Sequence, residues 1–286
     1  MNPLCSILIN NYNNGPYIED CILSALNQTY PNLEVIVYDD GSTDNSIDIL
    51  HSFAKDIKLI ASKENYGKSS NFNQMNAINQ AFTHARGKYI FLLDGDDLFI
   101  PKKVELITRI FAQSPQIVMV QNMMQEIDGD GIPKPAFRPH KETIYPRKLG
   151  MSYKEFVLKY ENLLLFASTS GLAFTKAYLD KVMPMKEDRF TMIWPDVRLT
   201  RQAIFHGRIF FCKEILGYYR NHDKNWSNTQ RIEKAVIEQM YEYFNSLKPM
   251  QSRTPIKFRN YKLKKWTTPF YLKRKVRLLT ERFKRN

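Results

Sequence analysis

Short apolar runs and longer amphipathic runs alternate through the first half of the chain. The runs LCSILI (4–9), EVIVYDD (34–40), IKLIA (57–61) and KYIFLL (88–93) have the length and residue types of strands. Between them, residues 16–26, 42–54 and about 70–85 repeat apolar positions at helical spacing. Ser42 is placed to N-cap the second of these helices, and Pro101 to open a fourth at its favoured first position. This βαβαβαβ order predicts an α/β fold with a mainly parallel sheet and helices on both faces. Beyond about residue 115 the alternation loosens. A strand is expected at 117–124, a helix at 153–165, an apolar run TSGLAF at 169–174 and a helix from Trp194 or Pro195. Two short strands follow within 205–220, and a helical stretch within 270–285.

The pattern directs attention to where the strands stop. In open α/β sheets ligands bind outside the carboxyl ends of the strands. Three runs end there in polar residues: Asn10-Asn11-Tyr12-Asn13, Tyr38-Asp39-Asp40-Gly41-Ser42, and Asp94-Gly95-Asp96-Asp97. Two carboxylates held about 4 Å apart repel by roughly 4 kcal/mol at an effective dielectric near 20, so a cation or a shared proton should accompany the last cluster. A calcium loop fails, because Leu98 and Phe99 stand where an oxygen ligand and a glycine are needed. A hard divalent cation, Mn²⁺ or Mg²⁺, bridging carboxylates to a diphosphate fits better. A second Asp-x-Asp, Asp128-Gly129-Asp130, lies among Gly131 and Pro133 and reads as a turn. No GxGxxG follows the first strand and no GxxxxGK[ST] occurs, which disfavours a Rossmann dehydrogenase and a P-loop NTPase.

Composition narrows the setting. At 286 residues with 43% hydrophobic and 13% aromatic content, the chain can bury a large core. Cys5, Cys21 and Cys212 form no CxxC pair, so neither a disulfide scaffold nor a zinc site is expected and a reducing compartment is the default. The amino terminus lacks the basic region of a signal peptide, and no apolar run reaches the 18 or so residues of a membrane span. A cytoplasmic protein, soluble or peripheral at the inner face of the membrane, is expected. Of the formal charge of +13, residues 251–286 carry +12, from thirteen Lys and Arg against Glu281. Aromatic residues interleave these charges, a composition suited to an anionic membrane surface; no nucleic-acid recognition fold accompanies it.

The residues SILINNYNNGPYIEDCILSALNQTYPNLEVIVYDDGSTDNS, then ENYGKSSNFNQMNAINQAFTHARGKYIFLLDGDD, resemble the front half of a family 2 glycosyltransferase of the GT-A fold. The likeness continues more loosely to about residue 227. It implies a GT-A domain over 1–246, with a nucleotide-sugar half (1–115), an acceptor half (116–246) and a mixed central sheet, followed by a basic tail at 247–286. It further implies a nucleotide-sugar donor, a UDP-sugar first, and a glycan or lipid-linked acceptor. By the same resemblance Asp40 meets the base, Asn10 and Tyr12 line that pocket, and Asn65 and Gly67 form the adjoining loop. Asp94 and Gly95 face the ribose or sugar, Asp96 ligates the metal, and Asp97 either orients a metal-bound water or caps the next helix. Asp196 is the expected base for inverting transfer, although Pro195 replaces the Glu usual before it. His222 could reach the metal or sit solvated in its loop; Ser170 and Gly171 match a segment on the acceptor side or make a tight turn. A sugar-nucleotide-forming nucleotidyltransferase and a non-catalytic nucleotide-sugar or glycan-binding module are the alternatives.

Overall fold

A computed structural model describes residues 2–134, 167–223, 225 and 234–247. The strands are β1 (Cys5–Asn11), β2 (Leu33–Asp39), β3 (Lys58–Ala61), β4 (Tyr89–Asp94), β5 (Leu98–Phe99), β6 (Ile117–Ile127), β7 (Leu172–Thr175) and β8 (Arg208–Arg220). The helices are α1 (Ile18–Leu26), α2 (Ser46–Ser52), α3 (Ser70–Thr83), α4 (Lys103–Ala112), α5 (Lys176–Val182), α6 (Pro195–His206) and α7 (Lys234–Ser246). One eight-stranded sheet has the order β3-β2-β1-β4-β7-β6-β8-β5. β3, β2, β1 and β4 run parallel, whereas β7 is antiparallel to both β4 and β6, so the sheet is mixed. The expected helix at 153–165 and residues 248–286 of the tail lie outside the described residues.

Alternation along the central strands builds two cores. Ile7, Ile9, Val35, Val37, Phe91 and Leu93 pack on one face against Cys21 and Ile22 of α1, Leu50 of α2 and Ile107 and Phe111 of α4. Their neighbours Leu8, Ile36, Ile90 and Leu92 face the other way, onto Phe72, Met75 and Ile78 of α3, Tyr178 of α5 and Leu199 of α6. Burying each such side chain contributes about 1.5–3 kcal/mol, which is why these strands read as continuous apolar runs rather than alternating ones.

Several expectations need correction. Ser42 caps nothing: α2 starts at Ser46 after Asn45, because the Ser42 hydroxyl donates instead to Asp39 Oδ1 at 2.6 Å. Pro101 lies in a turn, and α4 begins at Lys103. The two short strands expected within 205–220 are one thirteen-residue strand, β8, kept in register with β6 through bulges. β5, α5 and α7 were not expected: β5 and α5 have only two and seven residues, whereas α7, with thirteen residues and an apolar stripe, was readable and was missed. The three cysteines are free and buried. Among the described residues no helix is long and apolar enough to cross a membrane. The chain forms two compact units, Met1–Asn221 and His222–Asn286, with α7 in the second; the sequence reading places its boundary later, after 246.

Candidate active site

Parallel pairing in register brings Asn10, Tyr38 and Asp94 side by side at one rim, since Asn10 of β1 pairs with Tyr38 of β2 and with Asp94 of β4. The polar residues beyond the strands then join. Asn11 Nδ2 donates to Asp39 Oδ1 at 2.7 Å, Ser42 N donates to Asp39 Oδ2 at 2.9 Å, and Asn13 Oδ1 accepts from Thr43 N at 2.7 Å. Asp39 is therefore a brace between the first two strand ends.

Asp40 is buried, and the loop carrying Asn65 folds over it. Asn65 Nδ2 donates to Asp40 Oδ2 at 2.8 Å, and Tyr66 N donates to Oδ1 at 3.2 Å. Burial pushes the Asp40 carboxyl up to about 6, against the pull of the Tyr66 amide. Gly41 permits the approach: its φ is +71°, and a Cβ there would lie 2.3 Å from the Glu64 carbonyl carbon. Gly67 has φ +75° and donates its N–H to Asn65 Oδ1 at 2.9 Å. Tyr12 is 44% exposed beside this region of the rim.

The turn after β4 is held from below. Asp94 N donates to Ser170 Oγ at 3.0 Å, and Lys103 Nζ donates to the Ser170 carbonyl. Ser170 and Gly171 lie buried in a 3-10 turn, Thr169–Gly171, immediately before β7. Lys103 is fully buried, with Nζ 3.8 Å from the Phe99 ring centroid. Burial drives its amine down to about 7, partly countered by the charge of Asp97. Gly95 is tightly enclosed: a Cβ would come within 2.8 Å of Asn11 Oδ1 and 3.1 Å of the Asn10 carbonyl.

From the side, Arg220 at the end of β8 spans the whole turn. Its backbone N–H donates to Asp97 Oδ1 at 2.8 Å, its Nε to the Asp96 carbonyl at 3.0 Å and its NH1 to the Gly129 carbonyl at 2.9 Å. Its NH2 lies 3.5 Å from Asp20 Oδ2, and the side chain is 3% exposed. Asp97 is thus committed to Arg220, and α4 starts without a side-chain cap, so the helix-cap role for Asp97 is overturned. Asp128 Oδ1 accepts from Asp130 N at 3.1 Å and Ile132 N at 2.9 Å, so the second Asp-x-Asp is indeed a turn.

The acids strongly perturb one another. Burial raises the Asp94 carboxyl to about 7; the charges of Asp96 and of Asp196 add to this, while Asn10 and Gln74 hydrogen bonds oppose it. Asp97 is raised well above the usual range by burial and by Asp96 and Asp94. Asp196 opens α6 after Pro195, donor Val197 N lies 2.7 Å from its Oδ1, and burial raises its carboxyl against the Arg201 charge. The loop before it is fixed by Arg198, which makes a fork of two 2.8 Å bonds to Asp188. Asp196 therefore comes within electrostatic reach of Asp94 despite a separation of about a hundred residues in sequence.

Asn10, Asp94, Gly95, Asp96, Ser170 and Asp196 are brought to one rim, with Asp40, Asn65 and Gly67 on the flank. His222 belongs to the second compact unit. Gln74 and Lys103 escaped the sequence reading, and Arg220, two residues before His222, was given no role of its own. Lys103 did leave a trace, occupying the same helical phase as Ile107, Ile110 and Phe111, where a solvated charge does not belong. A cavity of about 380 Å³ lies at the opposite end of β2, between Glu34, Lys58, His84 and Arg86, away from all of these acids.

The donor set suits a hard cation: Asp96 presents oxygen, and one or two carboxylates suffice where phosphate oxygens supply the rest. Among the described residues no group of three or more His, Cys, Asp or Glu could hold an ion without such a ligand.

A mixed sheet with acids at the carboxyl rim defines a GT-A architecture. The solved structures that resemble it include a truncated TarS of Staphylococcus aureus in complex with UDP-GlcNAc (TM-score 0.62, 19% identity, 84% of this chain and 65% of that one). Another is the mannosyltransferase PcManGT of Pyrobaculum calidifontis in complex with GDP-Man and Mn²⁺ (TM-score 0.58, 19% identity, 85% and 64%). Residues 6–182 match the Glycosyl transferase family 2 profile, and the chain belongs to that family. It is a glycosyltransferase, which displaces the nucleotidyltransferase and binding-module alternatives. An uncharacterized glycosyltransferase of Nostoc sp. is 32% identical over 84% of this chain and 74% of its own length. An Escherichia coli UDP-Glc:α-D-GlcNAc-diphosphoundecaprenol β-1,3-glucosyltransferase is 42% identical over 35% of this chain and 38% of its own.

Proposed function

We propose that the protein transfers a sugar, with inversion, from a nucleotide-linked donor, a UDP-sugar first, to a hydroxyl of a glycan or lipid-linked acceptor. The observation that carries this reading is the convergence of Asp94 and Asp96 after β4 with Asp196 at the start of α6. Asp196 takes the proton of the acceptor hydroxyl as its oxygen attacks the anomeric carbon, while the bond from that carbon to the diphosphate oxygen breaks. Burial raises the Asp196 carboxyl, bringing its proton affinity closer to that of a base working near neutrality. Asp96 would hold Mn²⁺ or Mg²⁺, which when bound supplies positive charge to the departing diphosphate. Asp40 would accept from the base, with Asn10, Tyr12, Asn65 and Gly67 around it, and Asp94 and Gly95 would face the sugar end. The activity for which the E. coli relative is named supports a UDP-sugar and a lipid-diphosphate acceptor, and the Mn²⁺ of the Pyrobaculum structure supports the cation.

Purified protein is incubated with Mn²⁺ and UDP-, GDP- or dTDP-sugars, and donor consumption is followed with lipid-diphosphate acceptors. Turnover that survives excess EDTA removes the cation, and full activity in folded Asp96→Ala or Asp196→Asn removes the role of that residue. The basic residues 251–286 would hold the enzyme at an anionic membrane, where such acceptors reside. Co-sedimentation with phosphatidylglycerol vesicles at low salt, lost at high salt, tests this; equal sedimentation with neutral vesicles refutes it.

A further inference from the structure

Gln74 lies on α3, within the stretch that carries the family resemblance but with no role assigned to it there, and its side chain touches the acid cluster. Its amide Nε2 donates to Asp94 Oδ1 at 2.8 Å and approaches Thr169 Oγ1 at 3.4 Å. Its other amide atom, Oε1, is buried with no hydrogen-bond partner, and Asn10 Oδ1 is left in the same condition. Asn10, its neighbour across the β1–β4 pairing, also holds the Asp94 proton affinity down. Two amides thus flank one carboxylate, and each keeps a carbonyl oxygen unsatisfied. A buried acceptor without a donor costs about 1–3 kcal/mol, and proteins leave few of them. Asp94, Asn10 and Gln74 together form a group rich in acceptors and short of donors. What such a group takes is a ligand that brings O–H donors, as a sugar does and a diphosphate does not.

We infer that Gln74 is a specificity residue for the transferred sugar. Its N–H holds Asp94 in place, and its carbonyl oxygen accepts a sugar hydroxyl. This rests on the donor reading above, in which Asp94 faces the sugar end. Gln74 then reads the sugar and leaves the nucleotide to Asp40 and its loop, on a different strand end. The backbone beneath is held independently, because the Asp94 amide is bonded to Ser170 whatever the Gln74 side chain does.

The difference between UDP and UDP-sugar affinities isolates this role. Calorimetric titrations with UDP, UDP-glucose and UDP-N-acetylglucosamine, all in Mn²⁺, are compared for the unsubstituted protein and Gln74→Met, a near-isosteric change. Folding of the variant is checked by thermal unfolding, and Gln74→Leu serves if Gln74→Met does not fold. The inference expects UDP affinity within about twofold of the original and at least tenfold weaker binding of the preferred UDP-sugar. In turnover the donor KM rises while the acceptor KM stays. An unchanged ratio of UDP-sugar to UDP affinity overturns it, as does an equal loss for both ligands, which marks Gln74 as structural. If the unsubstituted protein binds UDP but neither UDP-sugar more tightly, the sugar contact is refuted while the nucleotide site stands. If it binds no nucleotide at all, the donor reading itself falls, and this inference with it.

Discussion

Replacing Asp94 by Asn should make the ligand-free protein more stable, by an amount that grows with pH. The Asp94 carboxyl rises from 3.8 to about 7, chiefly through burial and then through Asp96 and Asp196. An acid raised in this way binds more protons folded than unfolded between those two values, so folding is favoured at low pH. That advantage is lost as pH climbs from 3.8 through 7. At about 1.36 kcal/mol per unit, the raised carboxyl costs the fold about 4 kcal/mol at pH 8, where it is held ionised, and about 1.5 kcal/mol at pH 5, where it must take up a proton. Asp94 is only half-buried, and solvent screening reduces these figures to roughly 2 and under 1 kcal/mol. Asn keeps an oxygen for the Gln74 N–H, so the variant sheds the ionisation cost without losing that bond. For the catalytic unit roughly 2 kcal/mol corresponds to about 4–8 °C in Tm.

The assay is thermal unfolding of both proteins in EDTA at pH 5 and pH 8, with chelation preventing bound cations from adding stability of their own. Asp94→Asn should melt about 4–8 °C higher at pH 8 and about 1–3 °C higher at pH 5. The same gain at both pH values, or a loss at pH 8, would refute the claim that Asp94 is a desolvated, repelled carboxyl.

Gly41→Ala should destabilise by about 2 kcal/mol or more, since φ is +71° and the new Cβ meets the Glu64 backbone; an unchanged urea midpoint contradicts this. Lys103 is a base depressed from 10.5 to about 7, so the unfolded chain carries a proton that the folded one sheds between those values and stability rises with pH there. Lys103→Met should remove that rise, as read from denaturation at pH 7 and 9.5; identical pH slopes for both proteins count against it. Arg220→Lys keeps the charge but cannot span the Asp96 and Gly129 carbonyls together, and should cost about 1–3 kcal/mol in urea unfolding. A neutral result there would show that the guanidinium fork is dispensable.

The first half of the fold was legible because β1, β2 and β4 are buried on both faces and its helices carry one apolar stripe, and both patterns survive in the sequence. Past residue 115 the chain adds antiparallel β7 and the bulged β8, whose pairing depends on tertiary partners and on register rather than on local period. The acids were legible for a related reason, since carboxylates after an apolar run stand out against it. Ser42 misled because an Asp lay nearer than the helix: its hydroxyl could satisfy Asp39, and the helix began four residues later. Gln74 and Arg220 were hidden by ordinariness, one amide in a helix and one Arg at the end of a strand. Their meaning lies in which atoms they reach, and spacing along a chain does not encode that.

The carboxylates that sit so close together are managed in two different ways. Arg220 and Lys103 bring positive charge to the turn, but apart from the Asp20 contact of Arg220 their side-chain bonds described above run to main-chain oxygens, those of Asp96, Gly129 and Ser170. Cations used in this manner fix the shape of the turn and lend it potential without tying up the Asp94 carboxylate, which the amides of Asn10 and Gln74 hold instead. Neutral donors stabilise an ionised carboxylate only partly, so Asp94 keeps its high proton affinity and shares the burden with buried Asp97. The ligand-free turn is then rigid in its backbone and unrelieved in its charge. On the proposed reading, a cation at Asp96 and sugar hydroxyls at Asp94 and Gln74 relieve that charge with little backbone rearrangement. Part of the repulsion that weakens the free protein would then reappear as affinity for the donor, which is why the stability of Asp94→Asn and the donor affinity of Gln74→Met probe the same electrostatic arrangement from its two sides.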